Sequence, residues 1–311
     1  MPLARLLATA LAAGLLGLTG CGKHDDDRAT AATPRADAGA SAHTNAAAEA
    51  ENAKFNGYVQ SYNRLADRYG LAYHADLSLR HKLDRLDPNS TLIFSYNLDD
   101  GLKSLRDARA VESTAYPQLD RIADALVRDL QTLSELHKQH ENYYATKAYR
   151  DDKFALAKQL DPQIRGAYTD ALAQFEQLDT ALNAAEQTRS ERDLAALKAL
   201  PNPLPYDTKH VLVLAKRLVD ATAVAGAADE AGAFAKPDGV KSALYEAIQV
   251  LDQEIQKQKT PQDGLSGHGM VLFNARQLLS DYSDLRSDGD ARKFESMVSN
   301  YNQMVSQANQ I

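Results

Sequence analysis

Ten side chains between residues 55 and 86 follow one another at steps of three and four residues, and nine of them are apolar or aromatic. They are Phe55, Tyr58, Tyr62, Leu65, Tyr69, Ala72, Asp76, Leu79, Leu83 and Leu86. This spacing places them on one face of an α-helix and differs from the alternation of a β-strand. The prediction is one continuous helix that ends at Asp87-Pro88, because proline disfavours helical backbone in the residue before it.

Similar apolar stripes, separated by proline, glycine and aspartate, predict further helices in the rest of the chain. The expected helices lie at 92–111, from Pro117 onward, from Asp161-Pro162 to about Leu200, and then at 208–225, 237–258, 266–287 and 290–309. No convincing strand pattern occurs. The predicted fold is therefore all-α, an elongated antiparallel bundle of about seven helices over residues 51–311. The proline-rich segment 201–205 is the expected boundary if the bundle has two subdomains.

Composition narrows the classes of function. The 311 residues carry a formal net charge of −7, which argues against a nucleic-acid partner because such proteins normally present a basic face. A single cysteine excludes a disulfide framework and any CxxC-type metal centre within this sequence.

The first twenty residues have the anatomy of a secretory signal peptide. Arg5 is their one charged residue, and an apolar run from Leu6 to Leu18 is shorter than the roughly 20 residues that a membrane-spanning helix needs. Leu18-Thr19-Gly20-Cys21 resembles the lipobox of bacterial lipoproteins, in which cleavage occurs before a lipidated cysteine. Residues 1–20 are therefore predicted to be removed, which leaves Cys21 as a membrane anchor. An ordinary signal peptide with an incidental cysteine is the alternative.

The segment after Cys21 is predicted to be a disordered linker over residues 21–50. It is rich in alanine, threonine, serine, glycine and aspartate and holds almost no large apolar side chain. Gly22 stands where an aspartate would resemble an inner-membrane retention signal of enteric bacteria. We therefore expect the periplasmic face of the outer membrane as the location.

Two segments resemble one family of envelope proteins. Residues 142–154, read as NYYATKAYRDDKF, and Phe55-Asn56-Gly57-Tyr58-Val59 are similar to the YiiG-like bacterial lipoproteins. The similarity extends from about Lys54 to Asn302, and the shared domain is one of unknown function. The resemblance implies a lipid-anchored helical envelope protein and supplies no catalytic residue, substrate or cofactor.

One candidate metal site lies in Leu136-His137-Lys138-Gln139-His140-Glu141. His137 and His140, three positions apart, share a helix face, and Glu141 could supply a third ligand for a divalent metal ion. The spacing is neither HExxH nor HxxEH, so it indicates no metalloprotease chemistry. The alternative interpretation is a wet helix end at which these side chains are simply solvated.

Two further groups are candidates for a ligand or partner surface. In the first, Asp76 on the apolar seam is flanked by Tyr69 and Tyr73, and such a carboxylate needs a partner or lines a polar pocket. A kink near Gly70 that turns Asp76 toward water is the alternative. The second is a polar aromatic run that spans a predicted helix end and its turn, formed by Tyr143, Tyr144, Lys147, Tyr149, Arg150, Asp151, Asp152 and Lys153. The alternative is an ordinary helix C-terminus, at which lysine and arginine complement the helix dipole.

The motifs of nucleophilic, phosphate-binding and dinucleotide-binding enzymes do not occur in the sequence. The expected function is therefore that of a non-catalytic lipoprotein with no cofactor, which binds the membrane through Cys21 and whose helical domain binds a protein partner or supports envelope structure. The alternative is a periplasmic binding protein for a divalent metal ion or a small ligand.

Overall fold

A computed structural model describes residues 37–67, 69–80, 98–228, 232–258 and 267–311, and every regular element within these ranges is helical. The helices are α1 (Asp37–Ala66), α2 (Leu71–Arg80), α3 (Asp99–Ala110), α4 (Pro117–Ala145), α5 (Tyr149–Asp152), α6 (Ala155–Lys198), α7 (Leu204–Ala228), α8 (Ala235–Lys257), α9 (Gly267–Asp288) and α10 (Ala291–Ala308). The all-α prediction is confirmed. Across these ranges, no helix carries an apolar stretch that could cross a membrane.

The chain forms two compact units, and their boundary lies between Ala185 and Glu186, inside α6. The predicted boundary at residues 201–205 is therefore wrong, although α6 does end at Lys198 and α7 begins at Leu204 as the prolines indicate. The physical reason is that side chains near the end of α6 pair with α7. Lys209 Nζ lies 3.4 Å from Asp193 Oδ2, for example.

The N-terminal unit contains α1 to α5 and residues 155–185 of α6. Its core includes the buried side chains Phe55, Tyr58, Leu65, Leu105, Leu119, Leu126 and Leu130. The Tyr62 ring of α1 stacks on the Phe175 ring of α6, with centroids 4.7 Å apart. At Gly57 a Cβ atom would lie 2.8 Å from the Ala108 Cβ, so the absence of a side chain allows α1 and α3 to approach closely.

The predicted seam over residues 55–86 is interrupted at Gly70, and the prediction of one continuous helix is wrong. The Gly70 amide donates to the Asp67 carbonyl at 2.7 Å, and a Cβ at this position would lie 2.2 Å from the Leu65 carbonyl oxygen. Only glycine fits this turn. The expected helix end at Asp87-Pro88 lies outside the described residues. This break and the four-residue α5 add two helices to the eight segments that the apolar stripes indicate, so the described ranges contain α1 to α10 rather than about seven helices.

Pro162 does not begin a helix, contrary to the prediction. It lies inside α6, which starts seven residues earlier at Ala155. Leu160 and Ile164 are buried on either side of it, and Arg165 Nε donates to Asp161 at 3.1 Å. The burial of these neighbouring side chains therefore stabilises a helix that continues across Pro162, although local propensity alone favours a helix start at this residue.

The predicted start of the helical domain at residue 51 also differs from the structure. Helix α1 begins at Asp37, inside the segment predicted to be the linker 21–50, and its first half is rich in alanine, the strongest helix former. The part of that linker before residue 37 lies outside the described residues.

The C-terminal unit contains residues 186–198 of α6 and the helices α7 to α10. The predicted bounds of these last four helices are confirmed to within four residues. Their shared core includes Val211, Leu218, Leu244, Leu251, Leu278, Tyr282, Phe294 and Met297. Asp290 caps α10 by accepting a hydrogen bond from the Arg292 amide at 3.0 Å.

Candidate functional site

The two predicted metal-binding histidines lie inside the N-terminal unit. His137 is 7% exposed and His140 is 3% exposed, since α4 continues past both to Ala145. The His137 ring packs against the Tyr168 ring at a centroid distance of 5.5 Å, and the His140 ring packs against Tyr144 at 4.7 Å. The alternative that these histidines are solvated at a wet helix end is therefore wrong.

Burial keeps this pair of imidazoles neutral. Desolvation, together with the nearby His140 and His74, lowers the pKa of His137 to about 4. Desolvation also lowers the pKa of His140, which the carboxylate of Asp161 partly offsets. His137 Nδ1 and His140 Nε2 are buried without a hydrogen-bond partner among the described residues. Helix α2 thus contributes a third histidine, His74, which sequence spacing could not associate with the other two.

These histidines do not form a metal centre with Glu141 in the structure. Glu141 is only partly buried, whereas His137 and His140 are fully buried on the same helix. Within the ranges that the structure describes, no three His, Cys, Asp or Glu side chains are grouped so that they could hold a metal ion. The geometry therefore adds no support to the metal hypothesis.

The tyrosines near Asp76 lie at the surface. Tyr69 is 57% exposed and Tyr73 is 42% exposed, and their rings meet edge to face at 5.3 Å. Asp76 on α2 is half-buried. Tyr69 also lines an open groove of about 410 Å³ between the α1–α2 turn and the start of α3, which includes Arg64, Asp67 and Asp100. The break at Gly70 that was considered as an alternative is confirmed, and it leaves the two tyrosines on an exposed face.

The three tyrosines predicted as a partner surface in the α4–α6 connection are buried instead. Tyr143, Tyr144 and Tyr149 form a small aromatic cluster together with Phe154. Asp152 fixes this cluster, because it accepts a hydrogen bond from the Tyr143 hydroxyl at 2.5 Å and another from the Leu156 amide at 3.0 Å. Burial and the Asp152 carboxylate raise the pKa of Tyr143. These tyrosines therefore support the connection from within.

The cations of the same connection point into solvent. Lys147 and Arg150, both predicted, are exposed, and so are Lys153 and Lys158. We call these four side chains the basic tip. Lys147 and Lys153 have φ angles of 60° and 55°, in the left-handed region that glycine usually occupies. Lys158 lies beyond the motif that sequence reasoning singled out, and the fold brings it into the group.

The charged network at the start of α4 is a feature that sequence reasoning missed. Lys54 is 2% exposed, and its Nζ donates to Asp120 Oδ2 at 2.9 Å and to the Ser113 carbonyl at 2.8 Å. The Tyr58 hydroxyl donates to Asp120 Oδ1 at 2.5 Å. Lys54 and Tyr58 lie one helical turn apart on the buried face of α1, and this spacing in the sequence indicates that the two side chains can share a partner.

A second buried network lies in the C-terminal unit. Lys209 and Arg189 are 4% and 6% exposed. Burial raises the pKa of Glu186, and the nearby cations Lys209, Arg189 and Lys216 oppose that change. Lys209 pairs with Asp193 at 3.4 Å, and a buried cation held beside a carboxylate in this way is typical of a structural ion network.

Comparison with known proteins identifies one family. The family model described as "Protein of unknown function (DUF3829)" matches residues 49–261, which extends from α1 through α8. No curated protein and no solved structure matches the chain significantly. Since the match covers more than half of the sequence, the chain belongs to the DUF3829 family of proteins of unknown function.

Proposed function

We propose that this protein is a lipoprotein of the bacterial envelope, anchored through Cys21 and related to the YiiG-like lipoproteins within its family. The observation that carries the proposal is the sequence Leu18-Thr19-Gly20-Cys21, which follows an apolar run and contains the single cysteine of the chain. Each buried methylene contributes about 0.8 kcal/mol to membrane binding, so two or three acyl chains give a stable anchor. Gly22 favours the periplasmic face of the outer membrane.

The helical domain acts as a non-catalytic binding module in this proposal. Its most buried titratable groups serve the fold: Lys54 and Asp120 join α1 to α4, and Lys209 pairs with Asp193 between α6 and α7. His137 and His140 are enclosed by aromatic side chains and are remote from a substrate in solvent. The exposed cations of the basic tip provide a surface for a protein partner.

The substitution Cys21→Ser tests the anchor. We expect the precursor to remain unprocessed or the mature chain to leave the membrane fraction, because serine cannot form the thioether to the lipid. The measurement is fractionation of inner membrane, outer membrane and periplasm, followed by immunodetection and by incorporation of labelled palmitate.

The variant Gly22→Asp is the matched control. It keeps Cys21 and should still incorporate palmitate, but it should shift toward the inner membrane. A Cys21→Ser protein that is cleaved normally and stays in the outer membrane would contradict the proposal.

A further inference from the structure

The basic tip concentrates exposed cations that have no acidic partner. Lys147, Arg150, Lys153 and Lys158 form no ion pair with any residue of the described ranges. Many other basic side chains are paired, including Lys103, Lys216, Arg276 and Lys293. The twelve residues 147–158 also contain Asp151 and Asp152, so this segment carries a formal charge of +2 in a chain whose net charge is −7, and Asp152 is engaged by the Tyr143 hydroxyl.

Two of these lysines occupy backbone positions that disfavour them. Left-handed backbone is unfavourable for a residue with a Cβ, and Lys147, Lys153 and Phe154 all adopt it. Neither lysine side chain donates a hydrogen bond that would offset this cost within the described residues. Glycine or asparagine would fit these positions with less strain, so both lysines present their charges from backbone positions that local preference does not favour.

The buried side of the connection holds this surface in place. The Tyr149 ring stacks on Phe154 at a centroid distance of 5.2 Å, and the Arg150 guanidinium lies 6.0 Å from the centroid of the Tyr149 ring. Asp152 binds both Tyr143 and the start of α6. The cations are therefore presented on a rigid turn, which lowers the entropic cost of binding.

The position of the basic tip within the N-terminal unit separates it from the anchored end. Lys54 of α1 contacts Asp120 in the first turn of α4, whereas the basic tip follows the last turn. The 29 residues of α4 span about 43 Å at 1.5 Å per residue. Glu51 of α1 likewise accepts a hydrogen bond from Tyr116, just before α4, so the basic tip lies at the other end of α4 from this part of α1, through which the proposed anchor at Cys21 is connected.

We propose that the basic tip is a docking surface for an acidic protein segment, in which carboxylates of the partner pair with Lys147, Arg150, Lys153 and Lys158. Charge complementarity selects the partner, and the distance from the anchored end favours a protein over the bilayer that holds the lipid. The inference deepens the proposed binding role: the choice of a protein over the bilayer rests on the proposed anchor at Cys21, whereas the binding of acidic groups does not.

The test uses the full chain in uncharged detergent and a fluorescent poly-glutamate peptide as the probe. We expect anisotropy to show binding that weakens with added salt, because exposed pairs are screened. Replacing all four cations by glutamine should weaken binding about fourfold or more, since each exposed ion pair makes a small contribution and four are lost together. A poly-glutamine peptide should not bind.

A matched control removes four other exposed cations of the same unit, Arg106, Arg121, Arg128 and Lys138. This variant should bind poly-glutamate as the unchanged protein does. Equal weakening in both variants, or no weakening in the tip variant, would overturn the proposal. Tighter binding to phosphatidylglycerol vesicles than to the peptide would also overturn it, in favour of a membrane surface.

The substitution Lys153→Asn separates binding from folding. Asparagine tolerates left-handed backbone, so the melting temperature should stay the same or rise, while the affinity for poly-glutamate falls. A fall in melting temperature together with unchanged affinity would show that Lys153 serves the fold alone, and would contradict the proposal. The failure of this experiment would leave the Cys21 anchor unaffected.

Discussion

Replacing Asp120 by alanine is expected to lower the free energy of unfolding of the N-terminal unit by about 3–5 kcal/mol. The change leaves the Lys54 ammonium, only 2% exposed, with the Ser113 carbonyl as its remaining hydrogen-bond partner among the described residues. It also removes the acceptor of the Tyr58 hydroxyl. Hydrogen–deuterium exchange of the α1 and α4 amides measures the loss in this unit.

The neighbouring Asp124→Ala variant is the control for this experiment. Asp124 pairs with Arg109 at 3.0 Å, but both side chains are more than 40% exposed, so the expected loss is below about 1 kcal/mol. The double variant Asp120→Ala/Lys54→Met should recover most of the stability, because it removes the unpaired buried charge. Equal losses for Asp120→Ala and Asp124→Ala would contradict the assignment of a buried network.

Acidification is expected to destabilise the N-terminal unit through His137. The pKa of this imidazole is about 4 in the folded chain and about 6.5 in the unfolded chain, so the unfolded state binds more protons between these values. Stability therefore decreases as the pH falls below about 6.5. His137 alone accounts for about 2 kcal/mol between pH 6.5 and pH 5, at 1.36 kcal/mol per unit.

The variant His137→Phe isolates this contribution. It retains a ring against Tyr168 but cannot bind a proton, so the pH dependence of unfolding should flatten by about the same 2 kcal/mol. The variant Tyr168→Phe changes the same contact without removing an imidazole, and it should keep the dependence of the unchanged protein. An equally steep loss of stability in His137→Phe would show that other groups cause the acid sensitivity.

Local signals in the sequence predicted the helices of the C-terminal unit well. Asp290 caps α10, Pro205 lies in the first turn of α7, and glycine or aspartate separates the later helices, so each boundary has a nearby chemical cause. The same rule failed at Pro162, where burial of Leu160 and Ile164 outweighs the local cost. The prediction of one continuous helix failed at Gly70 for a different reason. The apolar spacing continues through residue 70, but the backbone makes a turn there that only glycine fits.

The candidate sites were less predictable because they depend on contacts between helices. His137 and His140 share a helix face as their spacing indicates, but the aromatic rings of Tyr168 and Tyr144 that bury them could not be read from that spacing. In the α4–α6 connection, the sequence analysis singled out the segment that forms the aromatic cluster and carries most of the basic tip. It could not show that the tyrosines fold inward and that the lysines point outward.

The buried charges show a similar limit. Lys54 precedes Phe55 at the edge of the apolar stripe, where a lysine normally extends to solvent. Its burial depends on Asp120, which lies 66 positions away in the sequence. The pairing can be recognised only from a structure in which α1 and α4 lie side by side.

The most direct test of the proposed lipid anchor is the mass of the N-terminal peptide of the protein purified from the membrane fraction of its bacterial host. We predict a peptide that begins at Cys21 and carries three acyl chains, with residues 1–20 absent. A peptide that begins at another residue, or an unmodified Cys21 thiol, would contradict the proposal that this DUF3829 protein is a lipoprotein.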